Sequence, residues 1–444
     1  MRGGWGCKSD CRSLCCPILF HGVSKLKTIQ NLMAPTRSYT ADTFGTSQVG
    51  LLITAFGATT SISIVSIGYA LLLLGFLINC RYLEKIKAFI SSPLALPLLG
   101  LIIWAFVGAL YSEAPENTLH RQLGIFARLG LVFLIFAAVR HRQDIVRAWY
   151  ALLAGGAFTV FSTYLNIYFF LPYSITQGLG WGGDHTVFYN YISQSLVMAF
   201  VACVSLSKAL DQTDLSRWSR SAWFVLAVLC AGSNFFLSTG RTGLIALLIG
   251  LLYVLWRRFG MRGAPWLFFF AVAGLSWMWV ETSVGQKLAL GVNDLMHFQG
   301  IQDSMTSWGA RLSMYLLSIK FIAEAPLFGH GLGDYQTLAM AYYQSDVMRA
   351  VSGYHPHNQY LYLWVELGLV GLGLYLWLHW RIWAIGRQIK SNWSDILVIF
   401  LIGLVTDSLF HAPFWMSGER NFFFPVMGLI AATGFHFRHP NAAE

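Results

Sequence analysis

Runs of apolar residues recur along this chain and limit what it can become. They fall at 47–62, 64–80, 93–111, 120–138, 148–171, 188–208, 220–237, 241–256, 264–280, 359–380, 394–411 and 420–436. A helix of roughly 17 to 25 such residues crosses a bilayer. The supply of ions agrees. Of 444 residues only 11% are charged and 56% are apolar, whereas a soluble domain carries about 25% charge. A single soluble core and a disordered chain are both excluded, and 42 glycines without a period do not make collagen. The expectation is an all-α polytopic membrane protein. Its function is to be sought in the polar residues that it keeps in or near the bilayer.

The block 47–80 is too long for one crossing. As a single helix it would run about 51 Å against a hydrocarbon core of about 30 Å. A split near Thr59-Thr60-Ser61 gives two short crossings and about twelve spans in all, with both termini on one side. The basic residues test that layout, because cytoplasmic loops gather Lys and Arg. Segment 1–46 carries six. Five connections carry three each: Arg81, Lys85 and Lys87; Arg140, Arg142 and Arg147; Lys208, Arg217 and Arg220; Arg257, Arg258 and Arg262; Arg381, Arg387 and Lys390. Arg438 lies in the tail, which places 22 of the 30 basic residues on the cytoplasmic side. The external connections 112–119, 172–187 and 411–419 carry none. The net charge of +10 thus reflects orientation in the bilayer rather than nucleic-acid binding.

The expected division is a cytoplasmic segment 1–46, spans one to nine over 47–280, an external loop over 281–358, spans ten to twelve over 359–436, and a cytoplasmic tail 437–444. At 78 residues the loop is too long for a simple link and is expected to work. Four of the seven cysteines crowd the first 16 residues; the others, Cys80, Cys203 and Cys230, lie at membrane depth. That spacing fits neither a disulfide framework nor a common zinc pattern. Residues 1–32 read poorly as structure or as a cleavable signal, and Met33 is an alternative start.

Eight basic residues remain: Arg121, Arg128, Arg241, Lys287, Arg311, Lys320, Arg349 and Arg420. Three of them fall at or near expected helix starts on the external side. Arg121 opens span four. Arg241, in Ser238-Thr239-Gly240-Arg241-Thr242-Gly243, opens span eight after a tight turn. Arg311 begins an amphipathic stretch, with Leu312, Tyr315, Leu316, Ile319, Ile322 and Ala323 at helical spacing, that Pro326 stops. A guanidinium at a helix N-terminus makes an anion site from fixed N–H donors and a permanent cation. The alternative for each arginine is snorkelling to lipid headgroups, and it weighs most for Arg121.

His355-Pro356-His357-Asn358-Gln359 stands immediately before span ten. Histidine accepts a proton near neutral pH without a large shift. The alternatives are plain loop histidines or a metal pair. No carboxylate pair or cysteine completes a metal site nearby, although His330 offers a third ligand. Two acids lie within spans, where an unpaired charge is costly. Glu366 reads as structural. Asp407, just before His411, is placed to steady an arginine or to orient His357. Arg128 lies seven residues after Arg121, on the same helix face but deeper, as a partner for either acid.

With these residues in place, the chain resembles the O-antigen ligase/polymerase superfamily of bacterial envelope glycosyltransferases. The resemblance is strongest over roughly 234–373 and rests on three pieces. Ser238-Thr239-Gly240-Arg241-Thr242-Gly243 is similar to the family's Ser-x-x-Arg-x-Gly turn. The segment from Arg311 into Pro326-Leu327-Phe328-Gly329-His330-Gly331 is similar to its Arg…Pro-Leu-x-Gly-x-Gly. His357-Asn358, followed after nine residues by Gly368-Leu369-Val370-Gly371, is similar to its His-Asn-x9-Gly-x-x-Gly. Asp407 sits where ligases carry a membrane acid, a looser match.

The resemblance implies a GT-C-like fold with about twelve membrane helices and a partly helical periplasmic loop, in the bacterial inner membrane with the active site on the periplasmic side. It implies an undecaprenyl-diphosphate-linked O-antigen as donor, a lipid A–core sugar hydroxyl as acceptor, and neither metal nor other cofactor. The local chemistry suits that reaction. Arg241, Arg311 and Arg121 are expected to hold the diphosphate, and His357 to take the acceptor's proton, with Asp407, Asn358, His355 and Arg128 in support. Direct displacement would invert the anomeric centre. An O-antigen polymerase or a periplasmic O-oligosaccharyltransferase would use the same donor. A flippase for lipid-linked glycans is the rival of another class, although no internal repeat of the transporter kind is evident.

Overall fold

The computed structural model describes residues 41–263 except 178, 182 and 212–215, residues 307–389 and 393–438, and a few isolated positions between 265 and 301. They form sixteen α-helices, and among the described residues there is no strand. The helices are α1 Ala41–Gly57, α2 Ile62–Ile78, α3 Tyr82–Ile90, α4 Ala95–Ala109, α5 Glu116–Ala127, α6 Leu131–Ala138, α7 Arg142–Leu165, α8 Tyr191–Ala209, α9 Arg217–Phe236, α10 Arg241–Phe259, α11 Ser307–Glu324, α12 Asp334–Tyr342, α13 Asp346–Ser352, α14 Gln359–Gln388, α15 Trp393–Phe410 and α16 Ser417–Arg438. The protein is an all-α polytopic membrane protein.

Eleven of the twelve apolar stretches coincide with described helices. The ninth, 264–280, lies outside the described residues, as do Lys287, segment 1–40 and tail residues 439–444. Six helical segments are individually long and apolar enough to cross a membrane: α5 with α6 (Glu116–Ala138), α7, α8, α10, α14 and α15. Helices α1, α2 and α4 are shorter, at 17, 17 and 15 residues. Helices α9 and α16 open with polar turns.

The block 47–80 does break where expected. Helix α1 ends at Gly57, and Ser61 caps α2 by accepting the Ser63 N–H. The break is pinned to α7: Thr59 Oγ1 donates to the Leu152 carbonyl (2.8 Å), and Thr159 Oγ1 donates to the Thr59 carbonyl (2.7 Å). Peptide groups released at membrane depth must find such partners, since no water reaches them.

Two expected helix starts need correction. Arg121 is the sixth residue of α5 and Arg311 the fifth of α11, so neither stands at a helix N-terminus. Apolar periodicity marks where a helix enters the core. The polar turn before it is set by other signals, here Pro115, whose fixed φ opens α5. Arg241 alone of the three occupies the first helical position.

Helix α14 is broken at Gly368, which adopts φ +66°. The segment after α11 fits into that break. Leu369 N–H donates to the Pro326 carbonyl (3.0 Å), His330 N–H to Val365 (2.9 Å) and Gly331 N–H to Glu366 (3.0 Å). Trp364 Nε1 donates to Pro326 as well (3.0 Å). A Cβ on Gly368 would strike the Leu327 carbonyl. The Pro-Leu-x-Gly-x-Gly and Gly-x-x-Gly pieces are therefore two halves of one joint. Glu366 belongs to it too: the backbone N–H groups of Gly333 and Tyr335 and the Tyr362 hydroxyl surround its carboxyl group at the start of α12. We expect Gly368→Ala to destabilise the protein by more than about 1 kcal/mol, because it combines a disallowed φ with a backbone clash. A thermal melt in detergent reads this as a lower midpoint. An unchanged midpoint would show that the joint tolerates a side chain.

Candidate active site

The turn into α10 brings the first candidate into place. A Cβ on Gly240 or Gly243 would run into Ser195 of α8, so glycine here lets the two helix N-termini meet. The Ser238 hydroxyl donates to the Tyr191 carbonyl (3.2 Å) and fixes the approach. Arg241 is thereby set beside Tyr191 and Ile192. Arg311, from α11, and His411, just past α15, complete a pocket of about 150 Å³ that Thr239 and Thr242 also line. Two arginines that sequence order separates by 70 residues face one small cavity.

His357 lies next to it. Its ring centre is 5.4 Å from that of His411, nearly perpendicular, and 4.3 Å from that of His355. His357 holds a left-handed backbone, φ +50°, a conformation that costs a non-glycine residue energy and persists only when neighbours impose it. The neighbours are identifiable. His357 N–H donates to His355 Nδ1 (3.2 Å). Tyr315 of α11 donates its hydroxyl to the His357 carbonyl (3.4 Å) and to that of Leu409 (2.9 Å). Asn358 caps α14 by accepting the Leu361 N–H (3.0 Å), and its Nδ2 donates to the same Leu409 carbonyl (3.2 Å). Asn358 and His355 therefore position His357.

Other expected site residues lie elsewhere. Arg121 does not line the pocket. Its guanidinium stacks on Trp415, 4.5 Å from the ring centre, and donates to Gln336 Oε1 (2.5 Å). Trp415 in turn lies 5.7 Å from His355. Arg128 is exposed, at the end of α5, and acts electrostatically on Arg420. Among the described residues, no ion pair joins Arg121 or Arg128 to Asp407 or Glu366. Asp407 is fully buried and, among the described residues, pairs with no arginine. It faces His411 and Glu419; one ligating atom from each of the three lies within 4.8 Å of the others. Asp407 thus stands one residue removed from His357, with His411 between. His330 is not a third ligand for the histidine pair, because its Nε2 lies 2.9 Å from the Phe321 carbonyl.

His411, Tyr315 and Trp415 complete the site, although no motif in the sequence assigns them to it. The one signal for His411 was its position four residues after a membrane acid, in a connection without basic residues.

The electrostatics favour neutral imidazoles. Burial first, and then the Arg311 charge, push His357 down to about 4. Burial, His357 and Arg311 push His411 down to about 3, and burial with His357 and His411 holds His355 well below the usual imidazole range. All three are uncharged at neutral pH. The arrangement offers guanidinium groups for an anion and an unprotonated imidazole for a proton. A nitrogen-15 NMR titration of His357 should give a midpoint near 4. Arg311→Gln removes a nearby cation and should move it upward; a midpoint unmoved by that change would separate the two groups.

Comparison with known proteins fits this geometry. Residues 225–376 match the family model described as O-antigen ligase. That region runs from α9 into α14 and takes in Arg241, Arg311 and His357. The chain is also 26% identical over 223 residues to an uncharacterised protein of Haemophilus influenzae. The match covers 48% of this chain and 56% of the relative, so the chain spans little more than half the length of the curated relative it matches. Over residues 225–376 the chain is thus similar to the O-antigen ligase family.

Proposed function

We propose that the protein is an O-antigen ligase, transferring O-antigen glycan from undecaprenyl diphosphate to a sugar hydroxyl of lipid A–core at the periplasmic face of the inner membrane. The match to the O-antigen ligase family supports the coarser statement, a membrane glycosyltransferase of the O-antigen ligase/polymerase type. The observation that carries the finer one is the shared pocket of Arg241, Arg311 and His411 with His357 beside it.

In this reading the diphosphate of the donor sits against Arg241 and Arg311. The acceptor oxygen attacks the anomeric carbon. The bond from that carbon to the diphosphate oxygen breaks, and the diphosphate leaves with the bonding electrons. His357 takes the hydroxyl proton, and the anomeric centre inverts. Negative charge grows on the leaving group, and prepositioned guanidinium donors stabilise it without reorganising. They take the place of the cation that many glycosyltransferases use. A twelve-span layout with basic residues on the cytoplasmic side is consistent with a pocket at the external boundary, where both lipid-linked substrates would be displayed.

Purified protein with undecaprenyl-diphosphate-linked O-antigen and lipid A–core should form lipopolysaccharide without an energy source. Arg241→Gln and Arg311→Gln should each lower the rate by a factor of about 10² to 10³. His357→Ala should do at least as much. Full-rate transfer by His357→Ala would remove it as the base, and transport of the donor without product would point to a flippase.

A further inference from the structure

The turn between α15 and α16 gathers three ionisable side chains. Asp407 lies in the last turn of α15, and the N–H of His411 donates to the Asp407 carbonyl (2.7 Å). The chain then folds back, with the N–H groups of Trp415 and Met416 both donating to the Ala412 carbonyl (2.9 and 3.0 Å). That turn brings Glu419, in the first turn of α16, to the same place. One ligating atom from each of the three lies within 4.8 Å of the other two.

The cluster is buried and unsatisfied. Asp407, His411 and Glu419 are 0%, 1% and 1% exposed. Both carboxylate oxygens of each acid and both ring nitrogens of His411 are without a hydrogen-bond partner. The polar groups nearby are engaged elsewhere. Arg420 acts on Glu419, but its Nη1 donates to the Phe414 and Trp415 carbonyls (2.9 and 3.1 Å). Ser193, also beside Glu419, donates its hydroxyl to Asn190 Oδ1 (3.0 Å). Among the described residues, no ion pair reaches either acid.

Protons alone do not resolve this. Ionised, the two acids put unpaired charges in an apolar interior; protonated, each O–H lacks an acceptor. A proton shared between two of the three groups would require a hydrogen bond that none of them makes. An ion set among them answers all three at once. A divalent cation with two carboxylates and a neutral imidazole carries no net charge, as a buried site requires. Zinc takes such ligands at about 2.0–2.2 Å in a four-coordinate site, which sets them about 3.4 Å apart. Small turns of these side chains reach that spacing. The imidazole favours zinc over magnesium or calcium, which prefer oxygen alone.

We propose that Asp407, His411 and Glu419 bind one zinc ion, as a structural tie between α15 and α16. The reaction proposed above uses no metal, and this site is separate from it in role. Its effect there is indirect: the ion holds the ring of His411, against which His357 stands.

Zinc titrated into the full chain tests this, by calorimetry and by thermal melts in detergent. The chain is purified without a histidine tag, its thiols are alkylated, and chelator is used to strip it beforehand. One equivalent should bind, and the melting midpoint should rise. Losing a residue that merely supports a metal ligand costs about ten- to a hundredfold in affinity. Asp407→Asn and Glu419→Gln, each removing a ligand, should therefore weaken binding at least about tenfold and abolish the rise. In chelator both variants should melt at or above the parent's midpoint, because each takes away a buried acid without a partner. Failure of the parent to bind zinc, or parental binding by both variants, overturns the proposal. Displacement of zinc by millimolar magnesium would leave His411 out of the site and also overturn it. Should neither variant fold, the cobalt-loaded parent decides: the visible absorption of a four-coordinate nitrogen and oxygen site supports the proposal, and its absence overturns it.

Discussion

The joint at Gly368 is what the rest of the structure depends on. A helix that breaks at membrane depth frees peptide groups that cannot be left without partners. The segment 326–331 supplies them, and in doing so fixes the end of α11 against the middle of α14. Arg311 is carried by α11, and His357 stands just before α14. The distance between a cation from the loop and an imidazole at the membrane boundary is thus set by backbone hydrogen bonds some way from either. Tyr315 adds a second tie, from α11 to the carbonyls of His357 and Leu409.

Glycine does the corresponding work on the other side of the pocket. Gly240 and Gly243 let α10 pack against Ser195 of α8, and close packing of helix N-termini puts Arg241 at a first-turn position. Tight contacts thus fix the backbone from which each arginine reaches into the pocket.

Much of this was legible in the sequence. Eleven apolar runs located described helices, and the length of 47–80 alone required the break that Thr59 and Thr159 now stabilise. The three motif pieces located Arg241, Arg311 and His357, because short spacings around glycine and proline report local backbone. What the sequence could not show was pairing across distance. Arg121 looked equivalent to Arg241, yet it stacks on Trp415, and nothing in the pattern of α5 points to a tryptophan some 290 residues later. Asp407 looked like a partner for arginine. It faces His411 and Glu419 instead, a choice made by how the 411–416 turn folds back, with the Phe414 N–H donating to Gln359 Oε1 at the start of α14 (3.1 Å).

The depressed basicity of His357 is easier to understand in this light. Burial and Arg311 both disfavour its protonated form, which makes it a weak base while the pocket holds no anion. A diphosphate placed against Arg311 offsets one of the two causes, because its negative charge opposes the field that the imidazole feels. In the proposed reaction the leaving group therefore strengthens the base that works with it. Charge that builds on the diphosphate as the anomeric bond breaks would favour proton transfer to His357 in step. Two guanidinium groups and one imidazole in a partly buried pocket are enough for that coupling, since electrostatic effects there are stronger than in bulk water.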